Sequence, residues 1–276
     1  MTVKATVLCE NSVFSNLGAI AEHGWAVFLE TDQGNYLFDT GQGKALLNNA
    51  GVFKKDLSTI KGIILSHHHI DHTGGLLAAV KAAAPVKVYS HPDLFKEGYL
   101  VRHNMPKYIG VPYSRMALEN YGAEFCFNRE FTEFAPGFYL TGEVPRTTDY
   151  EYGDTDVVLK TEQGLVRDPL EDDQSIIIRT SRGLFIILGC SHAGIINILN
   201  YAVAQTGESR IHTVIGGTHL WTVSREQQDK TIAALKDFAI ERLGVSHCTG
   251  LVVSMRLAQE FGDKFFFCNV GTVVEA

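Results

Sequence analysis

The chain has 276 residues, of which 45% are hydrophobic and 20% charged, close to the averages for soluble globular proteins. That composition excludes disordered, collagen-like and fibrous architectures and leaves enough chain for a sizeable core. The 31 acidic and 24 basic side chains give a formal net charge of −7, and without a basic stripe to neutralise a phosphate backbone no nucleic-acid partner is expected.

The chain starts without a basic segment leading into an apolar run and a small-residue cleavage site, so no secretory leader is read. β-rich runs then follow at 3–9, 25–30, 36–38, 62–65 and 86–89, interleaved with helical spacing at 43–50 and 75–84. The stretch 92–173 reads differently, being richer in Pro, Tyr, Phe and charge with weak periodicity. A long irregular stretch inside a compact domain is usually functional, and a cap inserted at about 92–173 into a single domain spanning 1–276 is predicted. Strand runs return at 175–180, 184–188, 212–215 and 264–268, with helices predicted at 195–204, 226–243 and 251–261. Most strand runs are continuously apolar, the pattern of strands covered on both faces. The two halves share a faint symmetry in this alternation. The longest apolar runs are far short of the ~20 residues of a membrane helix. Five scattered cysteines without a Cys-x-x-Cys pair fit reduced thiols. A soluble, cytoplasmic protein with no membrane partner is therefore expected, its oligomeric state left open.

Four of the eleven histidines fall within 67–72. The run Leu65-Ser66-His67-His68-His69-Ile70-Asp71-His72-Thr73-Gly74-Gly75 leaves an apolar strand and enters an amphipathic helix. Alternate residues of an extended segment share a face, so His67 and His69 converge on one ion while His68 points elsewhere. Asp71 and His72 reach a second ion as the chain turns into the helix. Imidazole with carboxylate suits zinc, iron or manganese, not calcium or magnesium. A solvated histidine cluster would explain neither Asp71 nor the preceding apolar strand.

His67-x-His69-x-Asp71-His72 resembles the metal motif of the metallo-β-lactamase superfamily, and further elements of that pattern follow in order. The resemblance implies that Asp39, in Phe38-Asp39-Thr40-Gly41, sits behind the metals and orients a ligating imidazole. His192, in Gly189-Cys190-Ser191-His192-Ala193-Gly194, corresponds to the third ligand of the first ion, and His247, in Ser246-His247-Cys248-Thr249-Gly250, to the last ligand of the second. Most of the superfamily bridges its two ions with an aspartate between these histidines. No acid stands at that place in this chain, which has Gly216-Gly217-Thr218-His219-Leu220 instead, and His219 is the candidate replacement. Cys190 and Ser191 are read as packing residues rather than nucleophiles, since Ala193 departs from the serine-elbow pattern.

Cys9-Glu10-Asn11, Ala21-Glu22-His23-Gly24, Gly142-Glu143-Val144-Pro145-Arg146 and Asp172-Asp173-Gln174-Ser175 resemble one branch of the superfamily. That branch contains the methanopterin-pathway dihydropterin-methyl-(ribofuranosyl)-aminobenzene phosphate synthases and their bacterial relatives. His23, His91 and Arg146 are candidate substrate contacts, Arg146 through its planar fork. Arg102, His103 and Lys107 form a second basic set. Tyr89, Phe95, Tyr99, Tyr108 and Phe125 are candidates to stack on a planar ring, although core packing is their commoner use.

The resemblance implies a four-layer αββα sandwich with metals at one edge of its strands. It also implies a metal-dependent hydrolase in which zinc, one or two ions, activates a water as hydroxide, with Asp71 as the catalytic carboxylate. Iron and manganese are the alternative metals. A small anionic molecule is the expected substrate. The competing expectations are a pterin-pathway synthase using the metals as Lewis acids and a non-catalytic metal-bearing binding protein. A diiron oxygen reductase is disfavoured, because such members carry a glutamate where His69 stands. Nuclease members share the histidine motif, but the acidic balance argues against them.

Overall fold

Along the central strands successive apolar side chains enter two different cores, as the two-residue repeat of a pleated strand requires. Ile176, Ile178, Phe185 and Ile187 face one core, whereas Ile177, Leu184 and Ile186 face another. Runs covered on both faces are therefore apolar throughout. The computed structural model describes residues 2–102 and 105–276.

The chain begins with β1 (Val3–Cys9), β2 (Ala26–Thr31), β3 (Gly34–Phe38), α1 (Leu46–Val52), β4 (Ile60–Ile64), α2 (Ile70–Thr73), α3 (Leu76–Ala83) and β5 (Val86–Ser90). Next come β6 (Gly98–Arg102), β7 (Met105–Tyr108), α4 (Arg115–Asn120), β8 (Ala123–Phe127), β9 (Thr132–Ala135), β10 (Phe138–Leu140), β11 (Val157–Thr161) and β12 (Gly164–Arg167). The last part holds β13 (Ile176–Thr180), β14 (Gly183–Ile187), α5 (Ile195–Thr206), β15 (Arg210–Gly217), α6 (Arg225–Leu235), β16 (Ala239–Ser246), α7 (Leu251–Phe261), β17 (Phe265–Phe267) and β18 (Val273–Glu275).

Two seven-stranded sheets run in the orders β18-β1-β2-β3-β4-β5-β8 and β17-β16-β15-β14-β13-β10-β9. Each has antiparallel pairings on one side and parallel pairings on the other, β3 to β4, β5 and β8 in the first and β14 to β15, β16 and β17 in the second. The faint symmetry of the sequence is thus a matched pair of mixed sheets. Ala5, Val7, Val27, Phe38 and Ile64 from the first sheet meet Ile176, Phe185 and Ile215 from the second and fill the space between them. Leu46, Leu76, Val80 and Leu118 pack α1, α3 and α4 on the first sheet, and Ile198, Leu199, Leu235, Val253 and Leu257 pack α5, α6 and α7 on the second. This is the expected four-layer αββα sandwich.

Two expectations are corrected. The helix predicted over 226–243 ends at Leu235, and Ala239–Ser246 is a strand parallel to β15. Ile240 and Leu243 mimic helical spacing, but pairing beside β15 buries them together with Val245. The stretch 92–173 is not one continuous cap either. β8 extends the first sheet and β9 and β10 extend the second, while only β12-β11-β6-β7 form a separate four-stranded sheet. Its weak periodicity reflects short strands with much exposed surface.

That third sheet is pinned beneath by buried charge. Lys96 Nζ donates to Asp168 Oδ1 at 2.9 Å and to Asp172 Oδ1 at 2.5 Å. Asp172 Oδ2 accepts from the backbone N and from Nδ1 of His68, at 2.9 and 2.8 Å. Gly98 lies so close that a Cβ there would collide with His68 Nε2. His68, set on the face opposite its neighbours, anchors the cover. Among the described residues no helix is long and apolar enough to cross a membrane.

Candidate metal centre

Every ligand-type residue of the site follows a strand at its carboxyl end, the edge where parallel α/β sheets gather their functional loops. Asp39 follows β3; His67, His69, Asp71 and His72 follow β4; His192 follows β14; His219 follows β15; His247 follows β16. Four of these turns use a left-handed backbone at a non-glycine residue: Asp39 (φ 55°), Ser191 (62°), His219 (51°) and His247 (49°). Such conformations cost of order ~1 kcal/mol each and persist where surrounding structure enforces them.

The first set is His67, His69 and His192, whose candidate ligand atoms all lie within 4.8 Å of one another. All three side chains are buried, and among the described residues their Nε2 atoms have no hydrogen-bond partner. Three orphaned ring nitrogens converging without protein partners are what a tetrahedral transition metal would satisfy. Two of the rings are oriented from behind. His67 Nδ1 donates to Ser66 Oγ at 2.9 Å, and Ser66 Oγ donates to Asp39 Oδ2 at 2.7 Å. His192 Nδ1 donates to Asp154 Oδ2 at 2.6 Å, and its backbone N donates to Asp173 Oδ2 at 2.5 Å. Burial, then the neighbouring imidazoles, pushes His67 and His69 well below the usual histidine range, so both present neutral nitrogen lone pairs.

The second set is Asp71, His72 and His247. His72 Nδ1 donates to Asp39 Oδ2 at 2.7 Å, a contact that fixes the orientation of the ring. His247 Nδ1 donates to Asn11 Oδ1 at 2.9 Å, and its backbone N donates to Glu10 Oε1 at 2.7 Å. The Nε2 of His247 therefore faces Asp71 Oδ2 at 3.2 Å as a lone pair against a carboxylate. Burial lowers the His247 pKa to about 4 despite the adjacent Asp71, so at neutral pH no proton fills that gap and a cation would. Burial alone would raise the Asp71 carboxyl, but the nearby His72 and the hydrogen bond from His23 outweigh it and hold Asp71 well below the usual carboxylate range. Nitrogen and oxygen donors in this arrangement fit zinc, iron or manganese.

The structure treats the remaining sequence candidates differently. His23 is brought to the site, its Nε2 3.2 Å from Asp71 Oδ2 and its ring 4.7 Å from that of His247. His219 is placed with Asp154 and His192 rather than with Asp71, His72 and His247. Its Nε2 stands 3.1 Å from Asp154 Oδ2, and burial followed by His192 lowers its pKa to about 3. His91 is not at the centre: Nε2 pairs with Glu143 at 3.0 Å and Nδ1 accepts from the backbone N of Asp93, so it caps the turn at Pro92–Phe95. Arg146 does not face the cavity either. Its fork donates to the carbonyls of His192 at 2.9 Å and Pro169 at 2.6 Å, which makes it a tether for the His192 loop. His103 lies outside the described residues.

A cavity opens over both sets. Its walls include Leu100, Arg102, Lys107 and Ile109 from the β6–β7 region, Asp154, Asp156 and Val157 from the approach to β11, and Trp221 opposite. None of the five aromatics proposed to stack on a planar ring lines it; Trp221, half exposed, does. Sequence reasoning missed Asp154, Glu10 and Asn11 as orienting groups. Asp154 carries no local signal beyond the preceding Gly153, since its role comes from the loop that brings it over β14. Cys190, buried, lies 3.1 Å from His72 Nε2.

Comparison with known proteins follows the same lines. The Metallo-beta-lactamase superfamily model matches residues 20–213. The 7,8-dihydropterin-6-methyl-4-(beta-D-ribofuranosyl)-aminobenzene-5'-phosphate synthase of Methanocaldococcus jannaschii is 28% identical, over 99% of this chain and 96% of its own. Among solved structures, Tm1679, described as a metal-dependent hydrolase of the beta-lactamase superfamily, is 30% identical with a TM-score of 0.84, covering 99% of both chains. YhfI from Bacillus subtilis, a metallo-beta-lactamase fold protein, matches at 13% identity with a TM-score of 0.59, over 100% of this chain and 99% of its own, and shares the fold alone.

Proposed function

The chain belongs to the metallo-beta-lactamase superfamily, and from that premise we propose that it is a metal-dependent hydrolase acting on a small anionic substrate, with zinc as its metal in one or two ions. The observation that carries this reading is the convergence of the unpartnered Nε2 atoms of His67, His69 and His192 beside Asp71, His72 and His247, with His69, Asp71, His192 and His247 lining one cavity. When bound, the metal supplies Lewis acidity and brings the pKa of a coordinated water towards ~7.

The residues of the chain divide the remaining work. Asp71, held ionised, accepts a hydrogen bond from the attacking water at the cavity floor and orients it, and His23 Nε2, 3.2 Å away on an exposed side chain, steadies that carboxylate. Lys107, together with Arg102, whose Nε lies 3.8 Å from Asp156 on the same wall, puts positive charge at the cavity of an otherwise acidic protein and draws in an anion. Leu100, Ile109, Val157 and Trp221 give the cavity apolar walls that thin out water around the reacting bond. Esters, lactones, thioesters, phosphodiesters and cyclic phosphates suit this arrangement. Similarity to Tm1679 over the whole chain supports hydrolysis.

The test pairs metal analysis of the purified protein with a hydrolase panel on wild type and Asp71→Ala. Bound transition metal, with turnover that falls at least ~100-fold in the variant, is the expected result; metal-free protein, or a fully active variant, would overturn the proposal. A second reading, a pterin-pathway synthase using the metals as Lewis acids, is favoured by full-length similarity to the M. jannaschii synthase. Capture of a pterin or an aminobenzoyl ribotide, detected by mass spectrometry, would support it, and failure to bind either would count against it.

A further inference from the structure

We propose that Cys190 is a metal ligand shared between the two metal positions, its sulfur supplying the bridge in a chain with no acid at the expected place between His192 and His247. The inference rests on the metal reading above and extends it to a residue that sequence reasoning assigned to packing.

Cys190 Sγ lies within 4.8 Å of ligand atoms of His67 and His72 together, and again of His247 and Cys248 together. His67 belongs to the first set, and His72 and His247 belong to the second. The sulfur thus neighbours donors of both sets. Ring orientation agrees: His72 Nδ1 is engaged by Asp39, so the nitrogen facing the Cys190 sulfur, at 3.1 Å, is Nε2. A tetrahedral ion with bonds of about 2.3 Å to sulfur and about 2.1 Å to nitrogen spaces those two atoms about 3.6 Å apart. The 3.1 Å between the Cys190 sulfur and His72 Nε2 is about half an ångström short of that spacing.

A second observation points to the same place from the other side. His67 belongs to the group that contains the Cys190 sulfur, and its buried Nε2 has no hydrogen-bond partner among the described residues. Two neighbouring candidates are engaged elsewhere: His219 is turned to Asp154, and Cys248 Sγ donates to the Cys190 carbonyl at 3.4 Å. An imidazole cannot span two ions through one atom, whereas a thiolate sulfur has lone pairs for both. As the sulfur–metal bonds form, the thiol proton is released to solvent, with no change of oxidation state.

Cobalt(II)-loaded wild-type protein tests this by a readout other than activity. The expected result is a thiolate-to-cobalt charge-transfer band in the near ultraviolet and, for the zinc form, a sulfur shell at about 2.3 Å in X-ray absorption. Cys190→Ser should lose both signals and weaken one of the two metal equivalents by more than about tenfold in chelator competition. Cys190→Asp should restore the metal equivalent without the band, and Cys248→Ser should keep the band. Metal bound with no sulfur signal in wild type overturns the role of Cys190 and leaves the hydrolase reading standing. A band that survives Cys190→Ser does the same. Protein that binds no transition metal overturns both. The wild-type measurements stand even if a variant fails to fold.

Discussion

Asp154 accepts a hydrogen bond from His192 Nδ1 at 2.6 Å, so a loop leading into the third sheet orients a ring that emerges from the second. The same carboxylate oxygen lies 3.1 Å from His219 Nε2. Carboxylates behind ligating imidazoles set ring orientation and basicity. Asp154→Asn should therefore weaken metal at the His67, His69 and His192 position by about 10–100-fold, measured by competition with a chromogenic chelator. Unchanged affinity would remove Asp154 from the site.

The cavity wall offers a test of substrate charge. Arg102→Ala and Lys107→Ala should each raise KM for an anionic substrate by about tenfold, the equivalent of about 1.4 kcal/mol, with kcat unchanged. Added salt should raise the wild-type KM and affect the double variant less. Steady-state kinetics at two ionic strengths decides this, and a loss confined to kcat would contradict it.

The anchor beneath the third sheet predicts a pH dependence. Burial opposes ionisation of Asp172, but His68 and Lys96 outweigh it and hold its carboxyl well below the usual range. A carboxyl whose pKa is lower folded than unfolded contributes stability above its unfolded value of about 3.9, and that stability is lost as pH falls through the folded value. Asp172→Asn should cost about 3–5 kcal/mol at pH 7, and the penalty should shrink as the pH is taken well below 4. Urea unfolding midpoints of metal-free protein across that range measure it; a penalty independent of pH would show that the charge is not the cause.

His91 provides the contrast. Its ring is enclosed by Glu143, Asp93 and Arg129, so His91→Ala should lower stability by about 1–3 kcal/mol through lost buried hydrogen bonds. Its kcat/KM should stay within about twofold of wild type. A selective loss of kcat/KM with unchanged melting temperature would return His91 to the substrate site.

The strands and most helices were legible because burial on both faces writes itself as apolar runs, and α7 over Leu251–Phe261 was read to the residue. The misread stretch was 226–243, where residues three apart served a strand instead of a helix. In the middle of the chain β8, β9 and β10 are edge additions to sheets whose other strands lie far away in sequence. Their partners, not their own composition, make them strands.

For the centre itself, local spacing was enough to select His67, His69, Asp71 and His72, because one turn carries them all. His192 and His247 were reached only through family likeness, and the structure places them with those four. What the sequence determined by itself is the residue types at strand ends and the alternation that makes two sheets with helices outside. Which nitrogen of each ring faces inward, that Asp154 and Asn11 orient two of them, that Arg146 and His91 are turned away, and that Cys190 sits between both sets, was decided only in the tertiary structure. The contacts that fix the rings of His72, His192 and His247 join residues 33, 38 and 236 positions apart in sequence, and no periodicity within one segment encodes a distance across two packed sheets.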